Sequence, residues 1–277
     1  MVLSPGAEAT SRTEALTLLS HAENRPAGGA QVLDRTVDLL SALAQAGAPV
    51  APAALAERCA LPASTTYRLL ADLEVHGLVA RDGRRGVTLG LRVLDFARTL
   101  EDRLEQTLVQ PAREVMQALA RAHGETALLT APGGTHAMCL ASVESPQHAV
   151  RLSYDRWRTA PMHLGASGKV LLAHLDEAHA ERILAAPPRH PSGGAQIEDA
   201  TLRAQIAATR RDGHLVTDGE LDEGATAVAA PVLDSRGRPV AALSLAGPSE
   251  RMRPVLAAIV PAVKSGAVAI AERVAAR

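Results

Sequence analysis

The stretch HLGASGKVLL, from His163 to Leu172, has the small residues and the Gly-Lys pair of a loop that holds phosphate groups. A P-loop reads GxxxxGK[ST], in which glycines make room for the phosphates and the final hydroxyl binds Mg²⁺. Here His163 stands at the first glycine position and Val170 at the hydroxyl position. These two mismatches exclude a P-loop, so the stretch needs another interpretation.

The histidines and acidic residues do not form a recognisable catalytic motif. His174 and His179 are five positions apart, whereas the HExxH zinc helix needs four and an adjacent glutamate. The acidic residues from Asp218 to Glu223 could supply paired carboxylates, but in a glycine-rich connection we interpret them as a solvated loop. GxSxG is absent. We therefore predict no catalytic residue and keep a small-molecule-processing enzyme only as the alternative.

The composition favours two domains without a metal or cofactor. A chain of 277 residues is long for one core, and with 1% aromatic residues its cores must consist of Ala, Leu and Val. Cys59 and Cys139 form no CxxC pair, so we interpret both as buried thiols. No signal peptide and no run of about 18 apolar residues is expected. We predict a cytoplasmic protein with no membrane contact.

Apolar residues at helical spacing predict three helices in the first third of the chain. The first runs from Gln31 to Ala46, the second is short and ends near Cys59, and the third is capped by Ser64. Two short helices joined by a tight turn form a helix-turn-helix. The predicted DNA contacts at the start of its second helix are Ser64, Thr65, Thr66 and Arg68. For Thr66, a buried methyl group is the other interpretation.

A basic hairpin follows this helix. Leu78–Ala80 and Gly86–Leu89 can pair across the turn signal Asp82-Gly83. Such a wing contacts phosphates or the minor groove through its tip. The tip residues that we predict to contact DNA are Arg81, Arg84 and Arg85. The alternative is a helical interaction module whose arginines are only solvated.

Strand and helix patterns are mixed in the rest of the chain, which predicts an α+β fold. Predicted helices follow residues 106–123, 166–175, 177–185 and 200–212 and the C-terminal apolar run. Predicted strands are Thr126–Thr130, His136–Ala141, Ala149–Tyr154, Thr226–Leu233 and Val240–Leu245.

The sequence resembles the isocitrate lyase regulator (IclR) family of bacterial transcription factors over residues 31–277. ALAERCALPASTTYRLLADLEVHGLVARDGRRGVTLG is similar to its DNA-binding half, and PMHLGASGKVLLAHL and RRDGHLVTDGELDEGATAVAAPVLDSRGRPVAALSLAGP to two signatures of its effector-binding domain. The resemblance implies a winged helix-turn-helix, a linker helix and a GAF-like effector-binding domain. Our predicted boundaries are a flexible tail at 1–28, then 29–90, 91–105 and 106–277.

The resemblance also implies where an effector binds. The matching positions are Ala166, Ser167, Thr217, Ala227, Ser244 and Ala246. Family members that bind small polar acids carry polar groups where this chain has Ala227 and Ala246, so we predict a roomier pocket for an aromatic or otherwise bulky carboxylate. Lys169 is expected to point outward and His163 to pack. Trp157 stands where the family commonly has glycine, either as a lid or as loop packing.

We therefore predict a sequence-specific DNA-binding regulator, more specifically a repressor, controlled by a small organic acid. Effector binding would change the placement of two winged helices on a near-palindromic operator in double-stranded DNA. This mechanism needs a homodimer, and the resemblance implies dimers or homotetramers. Ala60 stands at a turn position where the family often has glycine, which predicts a small conformational cost there.

Overall fold

A computed structural model describes residues 31–83, 86–185 and 197–276. The chain divides into two compact units, one extending to Arg103 and the other beginning at Leu104. Three predictions, the flexible tail at 1–28 and the DNA contacts of Arg84 and Arg85, lie outside the described residues.

The N-terminal unit consists of helices and one short hairpin. Its elements are α1 (Gln31–Ala46), α2 (Pro52–Arg58), α3 (Ala63–Val75), β1 (Val79–Arg81), β2 (Val87–Leu89) and α4 (Arg92–Leu104). Leu69, Leu70 and Leu73 recur at helical spacing on α3 and are buried against Leu39 of α1 and Leu55 of α2. The two strands pair antiparallel. The predicted helix-turn-helix and wing are therefore present.

The turn between α2 and α3 contains a residue in the left-handed region. Ala60 has φ +50°, and the amide of Leu61 donates to the carbonyl oxygen of Ala56 at 2.9 Å. The amide of Ala60 donates to the carbonyl oxygen of Glu57 at 3.2 Å, which completes a Schellman motif. Residues with a Cβ adopt this conformation at a cost, so the sequence prediction for Ala60 is confirmed.

We expect Ala60→Gly to raise the free energy of unfolding by about 1 kcal/mol, because glycine adopts φ > 0 without a steric cost. Gly47→Ala is the matched control. Gly47 follows α1 with φ +61° and has no neighbouring atom within 4 Å of an added Cβ, so only backbone conformation changes there. Urea unfolding should show a gain for the first variant and a loss of similar size for the second. An unchanged midpoint for Ala60→Gly would contradict the assignment of strain.

The C-terminal unit begins at Leu104, the last residue of α4, and continues through a π-helical turn, Glu105–Val109, into α5 (Gln110–His123). Its other helices are α6 (Gly165–His174), α7 (Glu177–Ala185), α8 (Asp199–Asp212), the short α9 (Ser249–Met252), a 3₁₀ turn (Arg253–Val255) and α10 (Leu256–Ala275). Its strands are β3 (Thr126–Gly133), β4 (His136–Val143), β5 (Thr159–Pro161), β6 (Leu215–Asp218), β7 (Ala225–Leu233) and β8 (Pro239–Pro248).

These strands form an antiparallel sheet with the order β5-β4-β3-β8-β7-β6. Helices cover both faces, so alternate residues of each strand enter different cores. Leu129, Leu243 and Val228 face α5 and α10, whereas Ala229 and Ala242 face α6, α7 and α8. The fold is α+β, as the sequence pattern predicts.

The prediction of a strand at Ala149–Tyr154 is wrong. This segment has no regular pairing, and the edge strand is instead β5, which pairs with β4. Leu152 and Tyr154 pack over Leu128 of the sheet, and the hydroxyl of Thr126 donates to the carbonyl oxygen of Leu152 at 2.6 Å. The alternating pattern therefore reflects a segment that covers the sheet rather than one that extends it.

The expectation that no segment is long and apolar enough to cross a bilayer is wrong for the C-terminal helical stretch. Residues Ser249–Ala275 meet that requirement by length and composition alone. Ile259, Val263 and Ile270 are nevertheless fully buried inside the C-terminal unit, where α10 packs on the sheet. Only one face of α10 is buried, since 28% of the most apolar 18-residue window is buried and its other residues are exposed or half-buried.

Candidate DNA-binding face and effector cavity

The first turns of α3 carry a polar, exposed face. Ser64, Tyr67 and Arg68 are exposed and Thr65 is half-buried, while the leucines of the same helix point into the core. The helix has no side-chain cap, so its first backbone N–H groups are available to a phosphate. Tyr67 was missed by the sequence prediction, although it lies between the predicted contact residues and its side chain is 49% exposed.

Thr66 does not belong to this face. The side chain is fully buried, and its hydroxyl donates to the carbonyl oxygen of Pro62 at 3.2 Å. The prediction that Thr66 contacts DNA is wrong for this arrangement, because the residue falls on the inward stripe with Leu69 and Leu70. Ser64 is also not the helix cap, because α3 begins at Ala63 and Pro62 occupies the N-cap position.

The wing is fixed to the rest of the N-terminal unit. Val87 and Val50 exchange two backbone hydrogen bonds of 2.9 Å each. Val50 thus forms an isolated antiparallel bridge with β2, in addition to the pairing of β2 with β1. The guanidinium of Arg81 donates to the carboxylate of Glu74 at 2.8 Å, and both side chains remain partly exposed. Arg81 therefore lies beside the C-terminal end of α3, where its guanidinium is paired with Glu74.

All six residues predicted to bind an effector line one cavity of about 700 Å³, counted with the solvent at its mouth. Thr217, Ala227 and Ala246 lie directly opposite one another on β6, β7 and β8, and Ser244 is two positions further along β8. The hydroxyl of Ser167 on α6 donates to that of Ser244 at 3.0 Å. The alanine side chains extend only a short distance from this face of the sheet, so space remains above them for a ligand.

The backbone geometry around α6 requires both glycines of the stretch HLGASGK. Gly165 has φ +67°, and a Cβ on Gly168 would lie 2.6 Å from the carbonyl oxygen of Met162. Residues 165–168 form the first turn of α6 and line the cavity. The first amides of an α-helix have no partner within it, so this turn offers N–H donors to a carboxylate.

The prediction that Lys169 points outward is wrong. The side chain is fully buried, and its ammonium group donates to Glu220 and to Gln205, each at 2.6 Å. Burial lowers the pKa of Lys169, and the hydrogen bond and charge of Glu220 oppose this shift. The helix is buried on all sides, so no outward position exists at residue 169. His163 is buried, as expected for a packed residue.

The acidic connection is not simply a solvated loop. Asp222 accepts hydrogen bonds from the Tyr154 hydroxyl at 3.0 Å and from Arg158 at 2.9 Å, and both donors line the cavity. Burial, followed by the Asp222 charge, raises the pKa of Tyr154. Glu220 is held by Lys169, so carboxylates of this connection close one side of the cavity through ion pairs.

Asp218 is bound even more tightly, at the end of β6. Hydroxyl groups of Ser249 and Thr226 donate to it at 2.6 Å each, and Arg253 forms an ion pair with it. These interactions lower the pKa of Asp218 to about 2, so it remains ionised at neutral pH. No proton is available from it for acid catalysis.

Several cavity residues were missed because they come from separate parts of the chain. Leu128, Cys139, Tyr154, Arg158 and Leu221 line the cavity beside the predicted residues. Burial raises the pKa of the Cys139 thiol to about 11, so it stays neutral.

Trp157 is not among the residues that line this cavity; it packs against the main core with φ +72°. Of the two interpretations of Trp157, packing is the one observed. Within the described ranges, no group of three His, Cys, Asp or Glu side chains could hold a metal ion.

A winged helix-turn-helix followed along the chain by a unit whose cavity opens to solvent defines a ligand-responsive DNA-binding regulator. The sequence profile of the IclR helix-turn-helix domain matches residues 32–83, and that of the bacterial transcriptional regulator IclR C-terminal domain matches residues 104–272. The chain belongs to the IclR family of bacterial transcriptional regulators.

Similarity to individual regulators supports the same conclusion. The chain is 34% identical to the transcriptional regulator SauR of Cupriavidus necator, covering 79% of this chain and 86% of that one. It is 29% identical to the transcriptional repressor IclR of Escherichia coli, covering 81% and 82%. An IclR homologue from Microbacterium hydrocarbonoxydans, solved with 4-hydroxybenzoate, superposes with a TM-score of 0.62 at 25% identity, covering 89% of this chain and all of that one.

Proposed function

We propose that this regulator is a cytoplasmic repressor that binds a near-palindromic operator as a homodimer or homotetramer and responds to an aromatic carboxylic acid. It catalyses no reaction of its own. The N-terminal domain, residues 29–90, would bind DNA, residues 91–105 would form the linker helix, and residues 106–277 would bind the effector. Similarity to named repressors supports the regulatory role.

The composition of the cavity supports the effector class. One end has the hydroxyl pair of Ser167 and Ser244 and the amides at the start of α6, which suit a carboxylate. The body is lined by Leu128, Ala227 and Ala246, which suit an apolar ring. The homologue that binds 4-hydroxybenzoate has an aromatic acid of this kind. The small apolar side chains beside the Ser167 and Ser244 hydroxyls and the first turn of α6 are the observation that carries the proposal.

The exposed start of α3 supports the DNA contacts that we propose. Ser64, Thr65, Tyr67 and Arg68 would contact phosphates and base edges, and Arg81, with Arg84 and Arg85, would contact the backbone from the wing. A footprint on DNA around the gene for this chain, with and without benzoate and 4-hydroxybenzoate, tests the regulatory function. Absence of any protected near-palindrome at low salt would contradict it.

We expect Arg68→Ala to weaken operator binding by about 10-fold or more, because loss of a base contact costs about 1–3 kcal/mol. Arg98→Ala is the control, since Arg98 is an exposed arginine on α4 rather than on α3. Band-shift titrations on the protected site and on unrelated DNA measure the specific and nonspecific parts separately. Equal affinities for Arg68→Ala and the parent protein would contradict the role of Arg68.

A further inference from the structure

The segment from Tyr154 to Arg158 has contacts in two directions. Tyr154 and Arg158 line the effector cavity. Arg156, between them in sequence, instead forms an ion pair with Glu105 at 2.8 Å. Glu105 is the first residue of the π-helical turn that directly follows α4 in the chain. One short segment thus connects the cavity with the point where the effector-binding unit begins.

On the cavity side, the segment is held by a carboxylate. Arg158 and the Tyr154 hydroxyl both donate to Asp222, and the Arg158 guanidinium lies 5.1 Å from the centre of the Tyr154 ring. A ligand carboxylate or phenolate in the cavity offers the same kind of acceptor as Asp222. Such a ligand therefore competes with Asp222 for these donors and changes the position of the segment.

On the other side, the Glu105 carboxylate holds two arginines. Its Oε2 accepts from Arg156 and its Oε1 accepts from Arg113 of α5, each at 2.8 Å. A second, more open hollow lies here, lined by Glu105, Arg113, Tyr154 and Arg156 among others. Tyr154 is among the residues that line both cavities.

The backbone between these contacts is bound to β4 and contains one residue in the left-handed region. The amide of Trp157 donates to the carbonyl oxygen of Cys139 at 2.7 Å, and the amide of Cys139 donates to that of Arg158 at 2.9 Å. Trp157 has φ +72°, and the Arg156 guanidinium lies 4.5 Å from the centre of its ring. Non-glycine residues in this region cost about 1–3 kcal/mol and concentrate at switch segments. Arg156 and Arg158 flank Trp157, so a change in the backbone conformation of Trp157 would move both side chains.

We propose that residues 154–158 transmit effector binding to the linker helix through the ion pair between Arg156 and Glu105. This inference rests on the proposed function of the chain as an effector-controlled repressor. A π-helical turn is a frequent site of functional adjustment within helices, and Glu105 begins one. Arg156 and Glu105 are positioning residues, because neither lines the effector cavity.

The test compares three substitutions that each remove one charge around one carboxylate. Arg156→Gln and Glu105→Gln remove the proposed connection, whereas Arg113→Gln removes the other arginine from the same carboxylate and is the matched control. The probe is 4-hydroxybenzoate, and the full-length protein is titrated on its footprinted operator with and without it. Calorimetry measures probe binding separately from DNA.

Allosteric effectors typically change affinity by about 5- to 150-fold, and we expect a change in this range for the parent protein and for Arg113→Gln. For Arg156→Gln and Glu105→Gln we expect a change below about 2-fold, with operator and probe affinities each preserved. Preserved affinities distinguish lost coupling from a folding defect.

Three results would overturn the inference in different ways. If the parent responds and Arg156→Gln responds equally, the connection through Arg156 is wrong while the proposed function stands. If the parent protein binds its operator but shows no response to 4-hydroxybenzoate, the proposed effector class fails and the coupling fails with it. Loss of response in Arg113→Gln as well would assign the effect to Glu105 and α5 instead of the cavity segment.

Discussion

The Lys169→Met variant should lose about 3–5 kcal/mol of stability, which is the usual cost of removing one partner from a buried ion pair. The Lys169 ammonium group is completely buried, and the Glu220 side chain is only 19% exposed. Methionine fills a similar volume, so the loss reports mainly on the carboxylate left without its partner. The Gln205 amide still donates a hydrogen bond to Glu220, but this bond is long at 3.4 Å and its donor carries no charge.

A second substitution separates charge from packing. Removing both charges of a buried pair is often neutral, because the desolvation cost disappears together with the attraction. We therefore expect K169M/E220Q to regain most of the stability lost in K169M. Urea unfolding at pH 7 of the parent, both single variants and the double variant gives the coupling free energy. A double variant as unstable as K169M would show that the ammonium group is needed for packing.

The stability difference between the parent protein and K169M should also depend on pH. Burial holds the pKa of Lys169 below its value of 10.5 in the unfolded chain. Between these two pKa values the unfolded state binds more protons than the folded state, so stability rises with pH through that window. K169M lacks this contribution, and the stability difference between parent and variant should therefore widen from neutral to alkaline pH.

Lys169 illustrates how far sequence reasoning reaches. Apolar and small residues surround it on every side of α6, and that pattern alone predicts a buried helix with no solvent-facing position. Its partner Glu220 lies 51 residues away in sequence, and no local spacing indicates such a pair. Our sequence prediction placed Lys169 outward because of its charge; the apolar pattern of α6 was the signal for its burial, whereas the identity of its partner depends on tertiary structure.

The same division applies to the fold. The helix-turn-helix was predictable because Leu69, Leu70 and Leu73 show a local period that its core uses directly. Strand β6 was missed, and the segment around Leu152 was assigned to a strand, because pairing partners are chosen by distant elements. Family resemblance supplied six cavity positions, but not Tyr154 and Arg158, which the covering segment brings to the cavity.

We expect Ala246→Phe to weaken binding of 4-hydroxybenzoate by about 10- to 100-fold while leaving operator affinity unchanged. Ala246 is buried on the cavity side of β8, opposite Ala227 of β7. A phenyl ring there occupies the space that the apolar body of the ligand would fill. Burying such a ring contributes about 1.5–3 kcal/mol, and about 3 kcal/mol corresponds to a factor near 100 in affinity.

Ala246→Ser is the matched control, because it changes polarity at the same position with little change in volume. It should keep the response to 4-hydroxybenzoate within about 10-fold, since one hydroxyl hydrogen bond contributes about 1 kcal/mol. Calorimetry with benzoate, 4-hydroxybenzoate and pyruvate separates the effects of size and polarity. Tight binding of pyruvate by the parent protein, with no binding of either aromatic acid, would contradict a ring-sized cavity. Unchanged 4-hydroxybenzoate affinity in Ala246→Phe would place the ligand away from the alanine row of β7 and β8.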